Sequence, residues 1–296
     1  MTRRQWMLCL PVPLIAAAQE DLSFKSGISL VHVDTEVLDR HGAIAYGLKL
    51  SDFRVFDEGR EQKLVSMSSE EQPLDLILLF DISASMRPNV EKVASAARQA
   101  AAHLKQGDRV AIMCFNLGVV VATPFVEDMA QVGIGVEGVL RLRFGGGTAI
   151  RQAINAAAER FKKEPHTGRR RAILVITDNV GMPANETVVV HNLWDADAVV
   201  SALIVGTGSK FPRPARGGDV DPLAEKSGGD TVKAVDPGPA FVQMIQRIRS
   251  RYSLYYATPE GQAGTFHQVR VELASDARKR FPDAKISARR SYRLTP

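Results

Sequence analysis

The stretch LDLILLFDISASM, residues 74–86, carries an almost unbroken apolar run into Asp81, with Ser83 and Ser85 following at alternate positions. Continuous apolarity, rather than strict alternation, is the pattern of a strand covered on both faces. A strand of that kind belongs in a mostly parallel sheet coated by its crossover helices. The carboxylate and two hydroxyls at its end, with no histidine, cysteine or lysine among them, need a separate explanation.

Downstream, apolar runs alternate with amphipathic segments. A helix with Val90, Val93, Ala94, Ala97, Ala101 and Leu104 on one face is expected to close at Gly107. RVAIMCFN and a shorter run near VVVATPF read as strands, followed by helical stretches around 128–142 and 149–162. Then come strand AILVIT (172–177), a helix near 185–196, strand VVSALIVG (199–206) and a helix at 221–227 ending in Gly228-Gly229. A last helix aligns Phe241, Met244, Ile245, Ile248 and Tyr252. Residues 74–250 thus read as an α/β domain, a Rossmann-like doubly wound and mostly parallel sheet.

Both flanks change period. In residues 24–72, SLVHVDTEVLD alternates, and DFRVFDEGREQKLVSMS reads as two strands joined at Asp57-Glu58-Gly59. In residues 252–296, YSLYYAT, TFHQVRVELAS and KISARRSYRL read as three strands with no helix between them. The expectation is one small all-β domain, sandwich-like, built from both termini, with the α/β domain inserted in its middle.

The first 18 residues read as an export signal: Arg3 and Arg4, an apolar stretch from Trp6 to Ile15, then Ala16-Ala17-Ala18. The opening Thr2–Met7 also resembles a twin-arginine signal. The expected location is therefore periplasmic or extracellular, with no membrane span in the mature chain. Without residues 1–18 the formal net charge falls from +5 to +3, too mild to argue for nucleic acid. The basic residues Arg278, Lys279, Arg280, Arg289 and Arg290 read as a solvated face. Cys114, alone after removal of the signal, lies in an apolar strand and is expected to be buried and inert.

In open α/β sheets, ligands sit at the carboxyl ends of the strands. Three polar clusters fall there: Asp81, Ser83 and Ser85; Thr148, after the loop Phe144-Gly145-Gly146-Gly147; and Asp178, after AILVIT. All five side chains offer oxygen and none offers nitrogen or sulfur, which suits a hard cation and not zinc. Alternate residues of an extended turn point the same way, so Ser83 and Ser85 can face one ion beside Asp81. Taken singly, D-x-S-x-S is also an Asx-turn pattern, and Thr148 could instead cap the following helix.

The three clusters, in this order, resemble the metal-ion-dependent adhesion site of the von Willebrand factor type A domain. Leu223-Ala224-Glu225-Lys226-Ser227-Gly228-Gly229 also fits that family. The resemblance implies that Ser83 and Ser85 bind Mg²⁺ (or Mn²⁺ or Ca²⁺) directly, Thr148 directly or through water, and Asp81 and Asp178 mainly through water. It further implies a protein partner whose acidic side chain completes the ion's coordination. Many relatives have glycine where this chain has Asn179. The flanking β segments resemble exported acidobacterial proteins of this type.

Two other readings compete with adhesion. The domain could scaffold an envelope assembly with the metal only stabilising its fold, or the ion could serve a hydrolase. A hydrolase would want a base beside the metal. His103, His166 and His191 are instead expected away from the three clusters, there is no G-x-S-x-G elbow, and FGGGTAI lacks the lysine of a phosphate-cradling loop. The expectation is a binding module and not an enzyme. The basic, proline-containing run Lys210–Arg216 is a surface excursion or a partner loop.

Overall fold

A computed structural model describes residues 29–206 and 217–294. The export signal and the Lys210–Arg216 run lie outside the described residues. The first strands are β1 (Leu30–Leu38), β2 (Phe53–Asp57), β3 (Arg60–Gln62) and β4 (Leu64–Ser68). The α/β part follows: β5 (Leu74–Asp81), α1 (Val90–Ala101), β6 (Arg109–Phe115), β7 (Val119–Val126), α2 (Met129–Leu140), α3 (Ile150–Lys162) and β8 (Arg170–Thr177). It continues through α4 (Glu186–Asp195), β9 (Ala198–Val205), α5 (Asp221–Ser227), β10 (Thr231–Ala234) and α6 (Pro237–Arg249). The chain then runs through β11 (Tyr252–Ala257), β12 (Phe266–Leu273), α7 (Ser275–Arg280), β13 (Lys285–Ala288) and β14 (Ser291–Arg293).

The central sheet has six strands in the order β10-β9-β8-β5-β6-β7, all parallel except the edge pair β6–β7. Every residue of β5, β8 and β9 is buried, as the unbroken apolar runs require. Period two divides them between two cores. Leu74, Leu76, Leu78 and Phe80 pack with α1, α2 and α6, while Ile77 and Leu79 pack with α3, α4 and α5. Each such side chain taken from water contributes about 1.5–3 kcal/mol. Cys114 is buried in β6, and burial pushes its thiol up to about 12.

Two four-stranded antiparallel sheets, β13-β1-β11-β4 and β14-β12-β2-β3, each combine strands from both ends of the chain. They enclose a third core around Val33, Phe53, Val55, Leu254, Tyr256, Val271 and Tyr292. Inside it, Asp57 accepts from the hydroxyls of Tyr256 and Tyr292, each at 2.7 Å. Arg170, at the start of β8, joins this part to the α/β part. It donates to Asp34 at 2.9 and 3.1 Å and to the carbonyls of Ile248, Arg249 and Arg251.

Four expectations are corrected. The first helix ends at Ala101, so Leu104 and His103 lie in the turns that follow. There Asp108 captures the backbone N–H of Lys105 at 2.8 Å and of Leu74 at 2.9 Å, drawing the chain off the helix axis. Tyr252 is not on the last helix but opens β11, its hydroxyl donating to Ala45 at 2.7 Å. The run from Asp52 makes three strands: β3 pairs with β2, and β4 leaves for β11 in the other sheet. A short helix, α7, separates β12 from β13, and KISARRSYRL breaks into β13 and β14.

Candidate metal site

Strand β5 delivers Asp81 to the carboxyl edge of the sheet, next to the end of β8. Both carboxylate oxygens are already engaged. Oδ1 accepts the Ser83 N–H at 2.9 Å, and Oδ2 accepts the Thr177 hydroxyl at 2.6 Å. Asp81 backs onto Phe80, Met86, Phe144 and Ile176. That burial pushes its carboxyl up to about 6, the hydrogen bonds from Ser83 and Thr177 work against the rise, and the Asp178 carboxylate adds to it. Two carboxylates thus sit close enough to oppose each other's charge, a cost that a cation between them relieves.

Ser83 is buried and Ser85 exposed, and their hydroxyl oxygens are 3.2 Å apart. The turn is not extended as expected: Ser83 is the extended residue ahead of a 3-10 turn, Ala84–Asn89, and Ser85 lies inside that turn. The tight turn, and not strand-like alternation, brings the two hydroxyls together. The glycine loop closes over the same turn: Gly145 N–H donates to the Ile82 carbonyl at 2.9 Å and Ala84 N–H to the Gly146 carbonyl at 3.4 Å. Asn116, at the end of β6, fixes that loop by donating to the Gly145 carbonyl at 3.1 Å.

Thr148 is buried behind the loop, its carbonyl accepting the Met182 N–H at 2.8 Å. It does not cap α3. Ala149 holds the cap position without a side-chain bond, so the Thr148 hydroxyl is not spent there. Asp178 follows β8 and is buried, with Oδ1 accepting the Val180 N–H at 3.2 Å. Asn179 adopts φ +66°, the left-handed conformation that suits glycine and that asparagine tolerates best among other residues. Its side chain accepts from Val220 N–H at 2.9 Å and donates to Asp221 at 3.0 Å, tying the loop to the start of α5.

All five expected residues therefore lie along one edge of the sheet. Asp81, Ser83 and Ser85 are joined directly, Asp178 acts on Asp81 through its charge, and Thr148 reaches the cluster through the glycine loop. Among the described residues, no group of three or more His, Cys, Asp or Glu side chains is placed to hold a metal ion. A cation at this edge would have to rely on hydroxyls, with two carboxylates beside them, which fits a hard ion. Thr177 was not among the expected residues; its position directly before Asp178, at a strand end, was the available signal.

The histidines lie elsewhere. His103 is in the turn after α1, and His166 precedes β8, 3.5 Å from Asp197. His191 stacks on Phe266, ring centroids 4.2 Å apart.

Residues 76–181 match the family model of the von Willebrand factor type A domain. The chain carries a von Willebrand factor type A domain. A von Willebrand factor type A protein from Catenulispora acidiphila is 14% identical, with 93% of this chain and 75% of that one covered and a TM-score of 0.50, a likeness of fold alone. An aerotolerance-related membrane protein from Bacteroides fragilis is 22% identical over 59% of this chain and 98% of that one, with a TM-score of 0.48. Proximal thread matrix protein 1 from the mussel byssus, described with a zinc-occupied MIDAS motif, is 16% identical over 62% and 48%, with a TM-score of 0.47. No curated protein matches the chain. Among the described residues, no helix of the type A domain or its flanking sheets is long and apolar enough to cross a membrane.

Proposed function

We propose that the type A domain is a metal-dependent protein-binding module of an exported protein, its site made by Asp81, Ser83, Ser85, Thr148 and Asp178. The observation that carries this reading is the division of labour at the strand end. Asp81 is held back by Thr177 and Ser83 N–H, while the Ser83 and Ser85 hydroxyls lie side by side, Ser83 buried and Ser85 exposed. Neutral hydroxyls would bind Mg²⁺, Mn²⁺ or Ca²⁺ without cancelling its charge. When bound, the ion supplies an electrophilic position for one further anionic ligand.

This chain's own residues do the rest. Thr177 and Ser83 N–H orient Asp81, Asn116 and Ile82 hold the glycine loop against the serine turn, and the glycines leave room for a partner's backbone. The natural ligand is a partner's Asp or Glu side chain, a charged oxygen donor of matching hardness. Catalysis is not part of this proposal, because the histidines that a hydrolase would use lie away from the site. Export rests on the pattern of residues 1–18.

The test is binding of an aspartate-containing peptide in Mg²⁺ and in EDTA. Binding that disappears in EDTA and in Ser83→Ala supports the module. Binding that persists unchanged in EDTA sinks it. A domain that Mg²⁺ stabilises without any effect on partner affinity would instead be a scaffold.

A further inference from the structure

Beside the serine turn lies a cavity of about 490 Å³, lined by Ala84, Arg87, Asn116, Arg143, Phe144 and the glycine loop. It shares its walls with the metal site, since Ala84 sits between Ser83 and Ser85, and Gly146 lies two residues before Thr148. Two arginines face it. Arg87 is braced by donating one N–H to the Phe144 carbonyl at 2.8 Å, which leaves its other donors over. Arg143 is exposed and pairs with no carboxylate among the described residues. Arg54, Arg98 and Arg293, by contrast, are exposed but neutralised by Glu61, Glu137 and Asp195.

We propose that this cavity receives a second acidic side chain of the same partner segment, held by Arg143 with Arg87. The proposal rests on the metal-dependent reading above for the first carboxylate. A partner that places one acid at the serines and continues past Ala84 meets unpaired positive charge with room for a side chain. Exposed guanidinium groups next to a cation site repel other cations and draw anions, and the arginine fork suits a carboxylate. Across the loop, Leu117 and Met182 are both more than half exposed and flank Gly147. That apolar rim matches the aliphatic parts of a peptide and not a sulfated sugar.

The experiment is an NMR titration of the protein, following the amides of Ala84, Gly145 and Gly146, in Mg²⁺ at low ionic strength. The probes are a capped Gly-Asp-Gly peptide and a capped Gly-Asp-Gly-Gly-Asp-Gly peptide. The expected result is that the two-acid peptide binds about five- to tenfold tighter than the one-acid peptide, the size of one or two exposed ion pairs. In Arg143→Ala the ratio falls to that of two equivalent acids, about twofold, Arg143→Glu inverts the preference, and Arg143→Lys keeps most of it. An unchanged ratio in Arg143→Ala, or no preference in the wild type, overturns the proposal. A heparin disaccharide that outbinds the two-acid peptide, with the same dependence on Arg143, also overturns it by assigning the cavity to a glycan. Failure of the metal-dependent reading is distinguishable, because it appears as one-acid binding that ignores EDTA in wild type and variants alike.

Discussion

Thr177 donates its hydroxyl to Asp81 Oδ2 across 2.6 Å and, on the same oxygen, accepts the Asn179 N–H at 3.1 Å. One buried threonine therefore holds the aspartate of β5 in place and shapes the turn that presents Asp178. Thr177→Val keeps the volume and removes both bonds. It leaves Asp81 with an unsatisfied oxygen at a cost of about 1–3 kcal/mol. Partners that orient metal ligands typically govern affinity by about 10–100-fold. Urea unfolding in EDTA should show the first effect, and a Mg²⁺ titration of the same variant the second.

Asn179 stands in the left-handed region and uses both ends of its amide, toward Val220 and Asp221. Asn179→Gly keeps the backbone and loses the two bonds, so it should cost about 1 kcal/mol. Asn179→Val adds the strain of a β-branched residue at positive φ and should cost a further 1–2 kcal/mol or so. The order of urea midpoints, wild type above glycine above valine at constant m-value, checks this.

The joint between the terminal sheets and the α/β part depends on a buried ion pair. Arg170 is 1% exposed, and its guanidinium holds Asp34 well below the usual carboxylate range, against the opposing effect of burial. Arg170→Met leaves that buried carboxylate with only His32 and the Ser253 hydroxyl, and should destabilise the protein by up to about 3–5 kcal/mol. Arg170→Met combined with Asp34→Asn should recover part of the loss, since it removes the carboxylate that has lost its guanidinium, while His32 keeps Asp197. A double-mutant cycle of unfolding free energies measures the coupling.

Close by, His32 lies 3.1 Å from Asp34 and 3.7 Å from Asp197. Burial works against its charge, but the two carboxylates outweigh it and raise His32 to about 10. The cations Arg170 and Arg289 also bind these carboxylates, and His166 faces Asp197. Because the folded state keeps the proton that the unfolded state releases near pH 6.5, this stabilisation is complete below pH 6.5. It is lost as pH rises toward 10, at up to roughly 1.4 kcal/mol per pH unit. Unfolding midpoints from pH 6 to 10 should fall in the wild type and flatten in His32→Gln.

The apolar strands made most of the fold legible. β5, β8 and β9 are buried throughout, so their runs could be read without knowing their neighbours. The positions of the five candidate residues were legible from the ends of apolar runs and the glycine loop. Asp81 ends β5, Ser83 and Ser85 lie in the turn after it, Thr148 follows the glycines and Asp178 follows β8. What escaped were features decided at a distance. The early end of α1 depends on Asp108 capturing backbone from two directions, and α7 is one polar turn in which Ala277 alone is buried. The split between β3 and β4 is set by which sheet each can join, not by their own sequence. Thr177 and Arg143 are ordinary residues until the fold sets one under Asp81 and the other over a cavity.

The most direct measurement is a calorimetric titration of Mg²⁺ into the protein and into Ser83→Ala/Ser85→Ala, with thermal unfolding in Mg²⁺ and in EDTA. Ligation by the two hydroxyls predicts one site in the wild type, abolished in the variant. It also predicts a stabilisation of about 2.7 kcal/mol when free Mg²⁺ is 100 times its dissociation constant. Equal Mg²⁺ binding by both proteins, or none by a folded wild type, would contradict it.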